Sequence, residues 1–291
     1  MASDCIHETA RAKIPSAIEE KSGHAWTKER AALVIGHPGH ELRIHHWLER
    51  ARPITFVLTD GSGHTDRSRL ASTTSVLKRA GASRGAIYGA MSDRQLYQAI
   101  LGNERGAFVR LVDELALALQ REGVTYAVGD AVEGVNPGHD VCRLLLNAAL
   151  LRVEQMSGRK IRNMEYPVEG PPHECPPEDR AEAIFLNLDD DAYRRKVAAV
   201  EAYPELRKEL TRVLTVHNAQ AFRAECIRPV RYGLDIADRF RHPAIYEWYG
   251  EKQVAAGIYR DVIRFREHIV PLAAHLEAYL RTTAVPAKTA S

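Results

Sequence analysis

From Ala31 the chain reads Ala-Ala-Leu-Val-Ile-Gly, a continuous apolar run that stops at a Gly-His-Pro turn. Ile54-Thr55-Phe56-Val57-Leu58-Thr59 repeats the pattern before Asp60-Gly61-Ser62-Gly63. Apolar runs this short, bounded by turn residues, mark strands buried on both faces, as in a parallel sheet. The period then changes to that of a helix over 41–50 and over 67–80, the latter through Leu70, Thr74 and Leu77. The alternation continues with a short strand over 85–89, helices over 93–101 and 107–121, a strand over 124–128 and a helix over 140–156. Strands alternating with helices predict an α/β, Rossmann-like fold: a mostly parallel sheet with helices on both faces, joined by right-handed crossovers. Sites in such sheets form in the loops beyond the carboxyl ends of the strands. His37, Asp60 and the 136–140 segment all sit in loops of that kind.

Beyond Pro167 the periodicity weakens. Residues 169–179, rich in Pro, Gly and acidic side chains, read as a long surface loop that covers or borders the site. Residues 183–188 read as one more strand and 191–203 as a helix, continued over 204–216 after Pro204 in a first turn. Residues 228–249 are irregular and aromatic, and a final helix is expected over 251–281. A short helix is expected over 15–21, within an otherwise aperiodic start. The expected organisation is an N-terminal extension over 1–28, one α/β domain over 29–220, and a C-terminal helical and irregular lobe over 221–291 packed on that domain.

Composition changes the picture mainly by exclusion. The chain has 291 residues, 45% hydrophobic and 27% charged, enough for a single large core and against global disorder. Forty basic residues against 38 acidic ones leave a net charge of +2, so no single-sign field favours nucleic acid as a partner. No apolar run approaches the ~20 residues of a membrane span, and the first thirty residues hold no signal-peptide core. A cytoplasmic protein that binds neither nucleic acid nor membrane is expected. Cys5, Cys142, Cys175 and Cys226 show no C-x-x-C pair or disulfide framework and are expected as free thiols.

The chemistry concentrates in two turns. His37 and His40 flank a Pro-Gly pair directly after the first strand, and His139 follows a second Pro-Gly turn in Asn136-Pro137-Gly138-His139-Asp140. Neutral imidazole ligates zinc and other first-row ions. Two strand-end turns can meet at one point, and three histidines leave an open position on a tetrahedral ion, the arrangement of a catalytic metal. The plainer account is a chance cluster among 13 histidines, or helix caps.

The layout resembles the LmbE-like (PIG-L) N-deacetylases, whose first strand ends in A-H-P-D-D-E and a later one in H-P-D-H. Gly36-His37-Pro38-Gly39-His40-Glu41 and Asn136-Pro137-Gly138-His139 match those stretches. Leu58-Thr59-Asp60-Gly61, Arg67 and Arg69, and the run from Lys196 to Tyr203, similar to the family's K-x-x-A-x-x-A-Y, extend the likeness across roughly residues 30–205. The resemblance implies that His37 and His139 bind Zn2+, with Fe2+ or another divalent first-row metal as the alternative, and that His40 replaces a ligand aspartate. It also implies losses. Gly39 stands where the family has its general base, Asn136 where it has a carbonyl-polarising histidine, and Gly138 where it has the aspartate that orients that histidine.

Replacements for the missing groups are sought nearby. Asp140 is the favoured base, followed by Asp60, while Asn136 can donate to an oxyanion. Glu41, His64 and Arg67 are expected to bind substrate. For Asp140 and Glu41 the plain alternative is a favourable charge at a helix N-terminus. The expected activity is a metal-dependent hydrolase that removes an N-acyl group, most simply N-acetyl, from an amino sugar or small natural-product intermediate by metal-bound water. Its alternatives are a repurposed three-histidine enzyme of another reaction type (another hydrolysis, an elimination or iron-dependent chemistry) and a non-catalytic binding protein retaining the fold. The aromatic and Arg residues around Arg228 to Glu251 suit a substrate pocket, a homo-oligomer interface or ordinary packing.

Overall fold

The computed structural model describes residues 25–63, 65–207 and 221–283. The expected helix over 15–21, His64, Cys5 and most of the helix over 204–216 lie outside the described residues.

Seven strands form one sheet. β1 (Ala31–Ile35), β2 (Ile54–Thr59), β3 (Ser83–Met91), β4 (Tyr126–Asp130) and β5 (Arg162–Tyr166) are parallel, while β6 (Ile184–Asn187) and β7 (Ala224–Pro229) complete the order β3-β2-β1-β4-β5-β7-β6. β7 runs antiparallel to both of its neighbours. The helices are α1 (His45–Ala51), α2 (Leu70–Ala80), α3 (Asp93–Leu101), α4 (Arg105–Arg121), α5 (Pro137–Ser157), α6 (Asp190–Glu201), α7 (Ile245–Ala255) and α8 (Val270–Thr283). The mostly parallel α/β architecture expected from the alternating pattern is the one observed. Among the described residues no helix is long and apolar enough to cross a membrane.

Each central strand feeds two cores, because successive side chains point to opposite faces. Ala32, Val34, Phe56 and Leu58 pack with Leu96 of α3, Leu115 of α4, Leu144 of α5 and Leu276 of α8. Leu33, Ile35, Val57 and Val128 pack on the other face with Trp47 of α1, Leu77 of α2, Ala199 of α6 and Tyr203. Full burial of one such large aliphatic side chain contributes roughly 1.5–3 kcal/mol. Burial on both sides explains why these strands read as unbroken apolar runs.

The chain leaves β1 toward β2 and β3 on one side, then crosses to β4 and β5 on the other. The loops after β1 and β4 therefore part in opposite directions and open a crevice between them, where ligands bind in open α/β sheets. The first loop holds His37 and His40. The second leads into α5, where Asn136 accepts the Gly138 N–H at 2.7 Å, Pro137 takes the first helical position and His139 falls in the first turn. On β3's side, Ser92 and Gln95 form a capping box that starts α3 at Asp93.

The structure departs from the sequence expectations in several places. The 41–50 helix begins as a 3-10 turn over His40–Ile44 before α1. The single helix expected over 251–281 is broken: Gly257, at φ 71°, ends α7, and a π-helical turn at Phe265–Ile269 precedes α8. Strands β5 and β7 were not anticipated. Arg228 is paired with Glu165 at 3.1 Å within the sheet, and Arg231 with Asp179 at 2.8 Å, so neither serves as an open pocket cation.

Candidate functional site

The crevice gathers all three histidines of the expected metal set. Ring centroids stand 5.4 Å apart for His37 and His40, 5.2 Å for His37 and His139, and 4.4 Å for His40 and His139. Their 99 residues of separation, from 40 to 139, are closed by the pairing of β1 with β4.

Two carboxylates orient two of the rings. Asp93 Oδ1 lies 2.9 Å from His37 Nδ1, with Thr59 Oγ1 at 2.8 Å, and Asp130 Oδ2 lies 2.9 Å from His40 Nδ1. An ionised carboxylate only accepts, so each Nδ1 carries a proton, and in the neutral ring the lone pair is then on Nε2. His37 Nε2 is buried and has no hydrogen-bond partner.

The surroundings set the charges. Burial works against ionised Asp130, but the charge and contact of His40, then His139 and the Gly36 N–H, hold its carboxyl well below the usual carboxylate range. Tyr166 adds its hydroxyl to Asp130 Oδ1 at 3.1 Å. Asp93 is likewise held low, with burial opposed by His37 and by the Gly63 N–H at 2.7 Å. Burial disfavours a charged His40, yet Asp130 raises its pKa above the ordinary value. Burial and the neighbouring His40 and His37 push His139 well down, toward the neutral, ligating form.

The donor set suits a divalent first-row ion: three imidazoles, an orphaned buried nitrogen, and carboxylates on the far side of two rings, the usual backing of metal-bound histidine. Among the described residues no group of three or more His, Cys, Asp or Glu side chains stands in finished metal-holding geometry. The convergence is of rings rather than of set donor atoms.

Two glycines shape the cluster. A Cβ on Gly138 would stand 2.7 Å from His37 Nε2, so any side chain there would cover the free lone pair. Gly39 has φ 110°, and a Cβ on it would meet Leu206 Cδ1 at 2.3 Å. Of the two positions that carry aspartate in the resembled family, Gly39 is strained for any side chain by its left-handed φ, while at Gly138 a side chain would displace the His37 ring.

Asn136 stands beside the same nitrogen. Its Oδ1, identified as oxygen because it accepts the Gly138 N–H, also takes the Tyr97 hydroxyl at 3.3 Å, which leaves its amide hydrogens to other acceptors. Both His37 Nε2 and Asn136 Oδ1 flank the point where a Gly138 Cβ would stand.

Other expected residues fall elsewhere. Asp140 is fully buried and its Oδ1 accepts the N–H groups of Glu133 and Gly134 at 3.2 and 3.3 Å; burial pushes its pKa up to about 8. Asp140, expected as the base, therefore closes the turn before α5. Glu41 is also fully buried and closes its own turn through the Gly39 N–H at 2.8 Å, so it belongs to the scaffold and not to a substrate surface. Asp60 accepts the Ser62 N–H at 3.0 Å and shapes its loop. Arg67 is exposed, whereas Arg69 lies beside Gly63 together with Asp93. The residues missed from sequence are Asp93, Asp130, Thr59, Tyr97 and Tyr166. Of these only Asp130 and Thr59, polar groups at the ends of apolar strands, carried a signal.

No protein-family model and no curated relative matches the sequence. Among solved structures the chain is similar to the zinc-inhibited form of teicoplanin deacetylase Orf2, at 13% identity and a TM-score of 0.48 over 69% of this chain and 97% of that one. It is also similar to the A40926 pseudoaglycone deacetylase Dbv21, at 16% identity and a TM-score of 0.45 over 71% and 99%.

Proposed function

We propose that this chain is a metal-dependent amide hydrolase that removes an N-acyl group, most simply N-acetyl, from an amino sugar or small natural-product intermediate. The observation that carries it is the convergence of His37, His40 and His139 in the switch-point crevice around an orphaned buried imidazole nitrogen. The motif resemblance supplies the reaction class. His37, His40 and His139 would hold the ion, zinc first and iron(II) or another divalent first-row metal second. Such an ion, when bound, polarises an amide carbonyl and acidifies water. The chain's own part is to keep two rings oriented through Asp93 and Asp130 and to offer the Asn136 amide to a carbonyl oxygen. As a neutral donor in a partly buried site, Asn136 suits developing negative charge.

A second reading is favoured by the glycines. Because Gly39 stands at a left-handed φ where the family has its base, and Gly138 stands against His37 where the family has the aspartate that orients a histidine, the same cradle suits a repurposed enzyme of another reaction type.

Metal analysis of untagged protein, with His40→Ala and His139→Ala alongside, tests the shared part of both readings. Bound divalent metal in the wild type and its loss in either variant is the expected result; a metal-free wild type, or variants that retain full occupancy, would overturn the ligand set. Acetate release over a panel of N-acetyl sugars and amines then separates the two, since a metal-loaded protein inert on every member favours the second.

A further inference from the structure

The segment 167–179 crosses beside the histidine cluster and is held there by polar contacts along its length. The Glu133 carboxylate accepts the N–H groups of Val168, Glu169 and Gly170 at 2.8, 3.0 and 2.8 Å. Arg43, from the 3-10 turn that begins at His40, donates to the Gly170 carbonyl, and the charge of Glu169 reaches His40. Further on, Pro172 accepts the N–H of Cys226 in β7 at 2.9 Å and Glu174 accepts from Arg228 at 3.3 Å. These two anchors lay Cys175 alongside Cys226 of β7, near enough for each thiol to shift the pKa of the other.

We propose that Cys175 and Cys226 are a redox-convertible dithiol whose disulfide pins the 167–179 segment to β7 beside the histidine cluster. The two thiols are neighbours, and the backbone beside both is fixed by hydrogen bonds, which favours closure. Their roles differ. Cys175 is partly exposed and can meet an oxidant, while Cys226 is 1% exposed and can be reached only from Cys175. The Cys226 thiol also favours the Cys175 thiolate, lowering its pKa, and an accessible thiolate next to a buried partner is the arrangement of a reactive and a resolving cysteine.

The oxidant is a low-molecular-weight disulfide such as oxidised glutathione. The Cys175 thiolate attacks one of its sulfurs, forming a mixed disulfide and releasing one glutathione thiolate. The Cys226 sulfur, giving its proton to solvent, then attacks the Cys175 sulfur and expels the second glutathione. Two protein thiols lose two electrons and two protons, and one glutathione disulfide becomes two thiols. The proposal stands independently of the hydrolase reading.

The test uses the full chain, incubated native with oxidised glutathione, then denatured and alkylated. The reduced control takes up alkyl groups at all four cysteines, Cys5, Cys142, Cys175 and Cys226. The oxidised sample is expected to take up two, with a peptide map joining Cys175 to Cys226. Cys226→Ser should instead stop at a stable glutathione adduct on Cys175. Uptake at all four, a bridge to Cys5 or Cys142, or a wild-type glutathione adduct that persists on Cys175 would each overturn it. Cleavage by a Glu-specific protease at exposed Glu169 and Glu174 should slow several-fold in the oxidised form, and an unchanged rate would remove the pinning.

Discussion

His37 and His40 take their orientation from carboxylates that lie 56 and 90 residues away, at the start of α3 and the end of β4. Outer carboxylates of this kind typically carry 10–100-fold in metal affinity. Asp130→Ala is therefore expected to weaken zinc binding by roughly that factor, read by equilibrium dialysis, and wild-type affinity in the variant would deny Asp130 its positioning role. Gly39 offers the complementary case. Restoring the family's residue with Gly39→Asp places a side chain at φ 110° against Leu206 Cδ1, and urea unfolding should show a loss of about 1–3 kcal/mol with no gain in amide hydrolysis. A variant of unchanged stability with new deacetylase activity would contradict this. The histidines were legible because three of them sit in turns with local signatures. Asp93 was not, since a carboxylate whose partner is remote in sequence looks like any other, and Asp130 showed only as a polar residue closing an apolar strand, with nothing to name His40 as its partner. Asp140 and Glu41 misled for a related reason: adjacency to a histidine says nothing of which way a buried side chain turns.

The elements were legible in proportion to their apolar runs. β1 and β2 announce themselves, whereas β5, Arg-Asn-Met-Glu-Tyr, hides because its buried Glu165 is neutralised by Arg228 from β7, a pairing visible only once the two strands meet. Polar caps, by contrast, are local. Asp189 caps α6 by accepting the Ala192 N–H at 2.7 Å, and that bond holds its carboxyl below its ordinary value of 3.8. A depressed carboxylate contributes stability that is present above the unfolded value and lost as pH falls through the folded one. Asp189→Asn keeps the acceptor and removes the titration, so the fall in thermal midpoint between about pH 4 and pH 2 should be shallower than in wild type. An identical acid limb would show that the cap carboxylate adds nothing to folding.

At the scale of the whole molecule one buried ion pair joins segments far apart in the chain. Glu225 of β7 meets Lys196 of α6 at 2.9 Å and also accepts the N–H groups of His46 and Trp47, while Lys196 donates to the Arg43 carbonyl at 2.7 Å. Burial lowers the Lys196 pKa, so its charge persists on the strength of Glu225. Glu225→Ala leaves a buried cation and two N–H groups unanswered and should cost about 3–5 kcal/mol in chemical unfolding; a cost below about 1 kcal/mol would show that the pair does not couple these segments. The parallel sheet was readable from alternation alone, but this tie was not, because it depends on an antiparallel strand that pattern did not reveal. The crossing from β3 to β4 has a further consequence for how the protein is made. His37 and His40 leave the ribosome early and His139 follows 99 residues after His40, so a growing chain carries two imidazoles with nothing to complete them through the synthesis of α1 to α4. Only when β4 slots in beside β1 and the first turn of α5 forms does the third ring arrive. The cluster is thus a late product of synthesis, and both cores that flank it also wait for later helices, α5 and α8 on one face and α6 on the other.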